Sequence, residues 1–188
     1  MNVKIKVPTS LNDITIGQYQ QIKSLLDDED LQGVELDNQI LRIVLGFHNV
    51  EDISQKDRNI LYKDINNAIL SEGDFKETFV LNNIHFGIIP NFDNISGGEY
   101  TDLIKYFDDD KDIHKFMAVC YRPIVMRDWF TNYRLRKYNG TSEYSDIMKE
   151  LPTSIAKGCK SFFLTLWNDL NNHSLMSMEV ELTRGLVH

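Results

Sequence analysis

The chain has 188 residues, of which 42% are hydrophobic and 26% are charged, and its formal net charge is −8 at pH 7. This composition is typical of one globular domain with a substantial core. The acidic balance argues against a general nucleic-acid coat, because neutralising phosphates requires a basic face. The first residues lack the apolar stretch of a signal peptide, and no apolar run reaches the length of a membrane span. We therefore expect a protein that stays in the cytoplasm where it is made and does not enter a membrane.

The amino-terminal third predicts one strand followed by three helices. Residues 3–7 alternate apolar residues with lysine and stop at Pro8, which is typical of a short edge strand. Apolar residues then recur at helical spacing. The helices, with the residues expected to face inward, are 16–26 after a cap at Thr15 or Asp13 (Ile16, Tyr19, Ile22, Leu25, Leu26), about 36–46 with Gly46 as its stop (Ile40, Leu41, Val44, Leu45), and a third helix from Ser54 (Ile60, Leu61, Ile65, Ile69, Leu70).

The middle of the chain changes to a two-residue period. Residues 75–81 and 84–89 are rich in strand-forming side chains and are joined by Asn82 and Asn83. Asparagine tolerates the positive φ angles of a type I′ turn. We predict a β-hairpin over about residues 75–90, which can pair with the strand at 3–7 to form a small sheet.

Helical patterns return after Ser96. The predicted helices are residues 97–107 (with Tyr100, Leu103, Ile104 and Phe107 inward), 113–121, 142–150 and a last helix from Pro152 to about Asn171. The helix at 113–121 must end near Arg122, because Pro123 disfavours helical geometry in the residue before it. Residues 123–140 fit either an irregular strand-like arm or a broken helix, and we favour a helix over 127–137. Residues 174–188 form a carboxy-terminal tail or an edge strand outside the main domain of residues 1–173.

The sequence contains no recognisable catalytic or cofactor motif. The five histidines share no metal-ligand spacing, and neither a Cys-x-x-Cys nor a glycine-rich phosphate loop occurs. Cys120 and Cys159 both stand among apolar residues, which favours reduced thiols in the core. His85 falls on a strand face, and His114, at a helix start, is expected to be exposed. We therefore expect no metal, no other cofactor and no enzymatic activity.

One window stands out against this background. Residues 121–138 contain five basic residues against a single aspartate, together with five aromatic side chains. Three interpretations are open: the aromatic residues are core, they anchor a protein interface, or they stack on nucleic acid. Under the interface interpretation, the candidate contact residues, including two from the tail, are Arg122, Arg127, Trp129, Tyr133, Arg136, Tyr138, Met176 and Met178.

The order of segments resembles tailed-bacteriophage proteins of the tail morphogenesis module, of the kind made by large AT-rich phages of Bacteroidetes and marine bacteria. The resemblance spans most of the chain. It is carried by LNDITIGQY at 11–19, GGEYTDL at 97–103, HKFMAVCYRPI at 114–124, and LPTSIAKG at 151–158 with Phe162-Phe163. Such proteins are similar in size and context to tail assembly chaperones, which are mostly helical and keep the tape measure protein soluble. The resemblance supplies no functional residue set, so Arg122 and Pro123 are assigned only the structural role of ending a helix, with Arg122 bonding the freed carbonyls.

These observations together predict an α+β fold, a helix-dominated single domain with a small antiparallel sheet built on a β-hairpin. The resemblance implies a non-enzymatic phage morphogenesis protein that binds other proteins, most specifically a tail assembly chaperone-like factor with the tape measure protein as its partner. The alternative is a structural component of the virion, such as a tail, connector, ring or cargo protein that contacts neighbouring subunits or copies of itself. A second alternative is nucleic-acid contact through residues 121–138, which the overall charge disfavours. The expected location is the host cytoplasm during assembly, or the virion.

Overall fold

Seven helices and a four-stranded antiparallel sheet make up the part of the chain that this computed structural model describes, which is residues 7–46, 49–127 and 133–168. The helices are α1 (Ile16–Leu26), α2 (Gly33–Leu45), α3 (Gln55–Ile69), α4 (Gly97–Phe107), α5 (Ile113–Cys120), α6 (Ser145–Met148) and α7 (153–168). The strands are β1 (Thr78–Leu81), β2 (Ile84–Ile88), β3 (Tyr121–Met126) and β4 (Arg134–Leu135). Short 3₁₀ helices lie at Leu11–Asp13, Val50–Asp52, Phe92–Asn94 and Asp110–Asp112. The prediction of a helix-dominated α+β domain with a small sheet is confirmed.

The helices begin and end at capping residues that can be recognised in the sequence. Thr15 caps α1 in a reciprocal capping box with Gln18, and Ser54 accepts a hydrogen bond from a first-turn amide of α3. Gly46 ends α2 with a φ of 62°, a left-handed conformation that glycine adopts without strain. Helix α2 begins at Gly33, three residues before the predicted start.

Several apolar residues expected on buried faces are exposed instead. They are Leu26 on α1, Ile60 on α3, Leu70 at the end of α3, and Tyr100 and Ile104 on α4. Helix α4 turns Leu103 and Tyr106 inward. The helices were therefore predicted at the right positions along the chain, but too many of their apolar residues were assigned to the buried face. A helix at the surface buries only one side, so some of its apolar side chains face solvent.

The sheet has the order β1-β2-β3-β4, with every neighbouring pair antiparallel. The β1–β2 hairpin turns at Asn82 and Asn83, whose φ angles of 48° and 61° match the predicted turn. The observed partner of β2 is β3, with Phe86 opposite Pro123. The predicted pairing of the hairpin with residues 3–7 lies outside the described residues, except for Val7, which is not in a strand.

The helix predicted over residues 127–137 is wrong where the structure describes it. Strand β3 runs to Met126, Ile124 faces Leu135 across the ladder, and the Arg136 amide donates a hydrogen bond of 2.8 Å to the Pro123 carbonyl. The strand-like alternative fits instead, because β-branched residues after Pro123 favour extended backbone and β2 offers them a partner. Residues 128–132 lie outside the described part.

The core forms around α5 and the inner face of the sheet. Every residue of α5 except Lys115 is buried, and α7 packs over it. Cys120 and Cys159 are both buried and unbridged, as predicted, and burial raises the pKa of the Cys120 thiol well above its usual value. His114 is buried, contrary to expectation, because the face of α5 that carries it packs near α1. Its Nδ1 lies 2.8 Å from the side-chain amide nitrogen of Gln20.

A separate apolar cluster joins α1, α2 and α3. No helix within residues 7–46, 49–127 and 133–168 is long and apolar enough to cross a membrane. The tail at 174–188, predicted as an appended strand or extension, lies outside the described residues.

Candidate binding cleft

An open cleft of about 570 Å³ lies beside β4, at the edge of the sheet. One wall is formed by β4 and the residues that follow it, and the other by the segment between β2 and α4. Its lining consists of Ile89, Pro90, Asn91, Asn94, Ile95, Ser96, Glu99, Arg122, Tyr133, Arg134, Leu135, Arg136, Lys137 and Tyr138. The sheet pairing creates this site, since it brings β4 against β3 and thereby sets residues 133–138 opposite the start of α4.

A buried ion pair forms the floor of the cleft. Arg122 Nη1 lies 2.9 Å from Glu99 Oε1, and the two side chains are only 14% and 9% exposed. Glu99 is fixed from its other oxygen, which accepts hydrogen bonds of 2.7 Å from both the amide and the hydroxyl of Ser96 in the capping box of α4. The Glu99 carboxylate therefore both caps α4 and pairs with the Arg122 guanidinium, and these contacts fix the positions of the two side chains in the floor of the cleft.

The Arg122 guanidinium keeps donor capacity beyond this pair. Its Nε is buried and has no hydrogen-bond partner among the described residues. Because this Nε is enclosed, a ligand in the cleft reaches it only if the surrounding side chains move.

Two tyrosines form the aromatic walls. The Tyr133 ring packs over Gly87 of β2 so closely that a Cβ there would lie 2.7 Å from the ring, and its hydroxyl donates a 2.9 Å hydrogen bond to the Ile88 carbonyl. The Tyr138 hydroxyl donates a 2.6 Å hydrogen bond to Asp102, and its ring centroid lies 5.8 Å from the Arg122 guanidinium carbon. Burial raises the pKa of both tyrosines, so both are neutral hydrogen-bond donors at physiological pH.

The charge of the cleft is opposite to that of the whole protein. Four basic residues and one carboxylate line it, a net charge of +3. Arg122 is neutralised by Glu99, and Arg136 lies 2.9 Å from the Glu143 carboxylate. Arg134 and Lys137 are exposed and make no ion pair with any residue in the described ranges. These two cations are therefore the ones free to meet a ligand.

A second, smaller groove of about 320 Å³, rich in aromatic side chains, adjoins the cleft. It shares Ile89, Pro90, Asn91 and Tyr133 with the cleft. Its remaining lining comprises Phe75, Glu77, Ile88, Phe92, Phe162 and Leu166. Phe75 and Phe162 stack in it with ring centroids 4.3 Å apart. Tyr133 thus borders a basic compartment on one side and an aromatic compartment on the other.

The structure brings together four of the eight residues that the sequence marked as contact candidates. Arg122, Tyr133, Arg136 and Tyr138 all line the cleft. Arg127 is exposed just past the end of β3 and is not part of the lining. The three other candidates, Trp129, Met176 and Met178, lie outside the described residues. The role predicted for Arg122, bonding the carbonyls at the end of α5, is wrong, because its ion pair is with Glu99 of α4.

Half of the cleft could not have been found from the basic aromatic window. Pro90 and Ile95 line the opposite wall and Glu99 lies in the floor, and all three come from a segment that the sequence indicated only as a strand end and a helix start. The Ser96–Glu99 capping pattern was a usable signal for the position of Glu99. No sequence pattern indicated that Arg122 would be its partner.

The arrangement suits recognition by charge, hydrogen bonding and aromatic contact. Among the described residues, no group of three or more metal-ligating side chains occurs. Searches of protein-family models, curated proteins and solved structures find no match to this chain.

Proposed function

We propose that this protein is a non-enzymatic assembly protein of a tailed bacteriophage, and that it acts by binding another protein through the cleft. The observation that carries the proposal is the convergence of Arg122, Tyr133, Arg136 and Tyr138 on one open surface. Arginine and tyrosine are enriched among the residues that contribute most binding energy at protein interfaces. Here they are held in place before any partner arrives, which reduces the conformational entropy lost on association.

The more specific form of the proposal is a tail assembly chaperone-like factor that acts in the host cytoplasm with the tape measure protein as its partner. An acidic body supports such a role, since a net charge of −8 opposes association between copies of the protein. The adjoining aromatic groove offers a place for apolar side chains that would otherwise aggregate.

The test has two parts, beginning with quantitative mass spectrometry of purified virions of the source phage. Absence from the virion, with abundance in the infected-cell lysate, is the result expected of a chaperone. Presence at a fixed copy number relative to the capsid protein would instead support a virion component such as a ring or connector protein.

The second part asks whether the cleft is the contact surface. The tagged protein and the tape measure protein of the same genome are co-expressed and co-purified, with Arg134→Glu/Lys137→Glu as the cleft variant. The matched control is Lys56→Glu/Lys63→Glu, which makes the same change of charge at two exposed positions on α3. We expect the cleft variant to lose the partner and the control to retain it. Failure of the unaltered protein to co-purify would refute the chaperone assignment.

A further inference from the structure

We propose that the ligand of the cleft is an acidic segment of the partner protein that carries a bulky apolar side chain beside its carboxylates. This inference rests on the proposed protein-binding function and specifies the chemistry of the partner. The carboxylates would lie against Arg134 and Lys137, and the apolar side chain would enter the groove on the far side of Tyr133.

Charge complementarity favours an acidic ligand for the cleft. The internal pairs already use Glu99 for Arg122 and Glu143 for Arg136. Arg134 and Lys137 are left on the exposed rim with no ion pair to the described residues. Complementary charge across an interface directs association and fixes the register of the partner. A segment with two or more carboxylates is the complement of this rim.

The cleft is continuous with the second groove. Both are lined by Ile89, Pro90 and Tyr133, so a single chain segment can contact the two compartments in succession. The groove presents the exposed edges of Phe92, Phe162 and Leu166. A bulky apolar side chain there would remove apolar surface from water on both sides of the contact, which favours binding.

The distribution of charge favours a peptide over nucleic acid as the ligand. Tyrosines beside basic residues also suit stacked bases. An extended polyanion would continue past the two free cations onto the surface of a protein with net charge −8. A short acidic peptide places its charge only where the basic rim lies, so the observations favour the peptide.

The experiment uses the full chain and a synthetic probe, acetyl-Glu-Asp-Leu-Phe-Glu-Asp-amide, coupled to a neutral dye. Its control is the amide counterpart, acetyl-Gln-Asn-Leu-Phe-Gln-Asn-amide. Binding is measured by fluorescence anisotropy at low and at physiological ionic strength. We expect the acidic probe to bind at least about tenfold more tightly than its counterpart, which corresponds to two exposed charge pairs of modest strength.

The variants locate the interaction. Arg134→Glu/Lys137→Glu should weaken the acidic probe by about tenfold or more, because each attraction becomes a repulsion. Lys56→Glu/Lys63→Glu should leave the affinity within about twofold. Equal binding of both probes, no binding of either, or an unaffected cleft variant would each overturn the inference. Tighter binding of an oligothymidylate than of the acidic probe would also overturn it, in favour of nucleic acid.

These outcomes are separable from the fate of the proposed function. A cleft that binds the tape measure protein but shows no preference for the acidic probe would refute the acidic ligand and leave the chaperone role standing. A cleft that prefers the acidic probe in a protein that does not co-purify with the tape measure protein would do the reverse.

Discussion

The buried pair between Glu99 and Arg122 should be the energetic support of the cleft, and a double-mutant cycle measures it directly. Glu99→Gln keeps the shape of the side chain but leaves Arg122 buried without its counter-charge. Breaking a buried ion pair from one side costs about 3–5 kcal/mol, and we expect the lower end because Gln can still accept the capping hydrogen bond from Ser96. Arg122→Met, which keeps the aliphatic stem, should cost about 2–3 kcal/mol for the same reason.

The double variant Glu99→Gln/Arg122→Met removes both charges, so its loss of stability should be smaller than the sum of the two single losses by about 1–3 kcal/mol. Urea denaturation followed by circular dichroism gives the free energy of unfolding of all four proteins. Additive losses, with a coupling below about 0.5 kcal/mol, would refute the view that this pair acts as a unit. The affinity of the cleft for its ligand should fall in the Arg122 variants as well, because Arg122 also lies over the Tyr138 ring.

Three further predictions concern the fold around the cleft. Gly158→Ala should destabilise the protein by about 2–3 kcal/mol despite the roughly 1 kcal/mol gain in helix propensity, because the new Cβ would overlap the Phe75 backbone nitrogen. Gly98→Ala in α4, with no atom within 4 Å of the new Cβ, is the matched control and should be neutral or slightly stabilising in the same urea assay. Burial, aided by nearby lysines, lowers the pKa of His114 from 6.5, so the unfolded chain binds more protons than the folded chain just below that pH. The free energy of unfolding should therefore fall as the pH drops below 6.5, and His114→Gln should flatten this pH dependence. The Cys120 thiol is fully buried with a raised pKa, so an aromatic disulfide reagent should modify it only at the rate of unfolding, measured by absorbance.

A contrary result for any of these three would refute the physical reason given for it. If Gly158→Ala and Gly98→Ala behave alike, α7 does not approach the segment after α3 as closely as described. A pH dependence that His114→Gln leaves unchanged would place the titrating group elsewhere. Rapid modification of native Cys120 would mean that the core around α5 opens on the time scale of the reagent.

The features that could be predicted from sequence were those whose chemistry is local. The capping residues Thr15, Ser54 and Ser96, the Asn82-Asn83 turn and the stop at Gly46 each satisfy a backbone requirement within a few residues. Such signals do not depend on how the rest of the chain folds. They placed most helix ends and the hairpin correctly.

Features that depend on tertiary pairing were the ones that failed. Residues 133–137 carry apolar and basic residues at spacings compatible with a helix, but β3 offers them a ladder, and strand pairing overrides such local preference. The half-buried Tyr133 is a comparable case. Its position over Gly87 depends on a glycine far away in sequence, which leaves room for the ring.

The opposition between an acidic body and a basic cleft is itself an argument about selectivity. At physiological salt, charges separated by more than about 8 Å are largely screened, so a ligand in the cleft is influenced mainly by the nearest side chains, among them Arg134 and Lys137. The remaining surface, net negative, acts on whatever extends beyond the cleft. A long polyanion is attracted by the two free cations but repelled by the acidic surface beyond the cleft. A protein with a single acidic segment on a neutral or basic surface is attracted both within the cleft and beyond it. The charge distribution therefore favours a partner whose acidic residues are few and clustered.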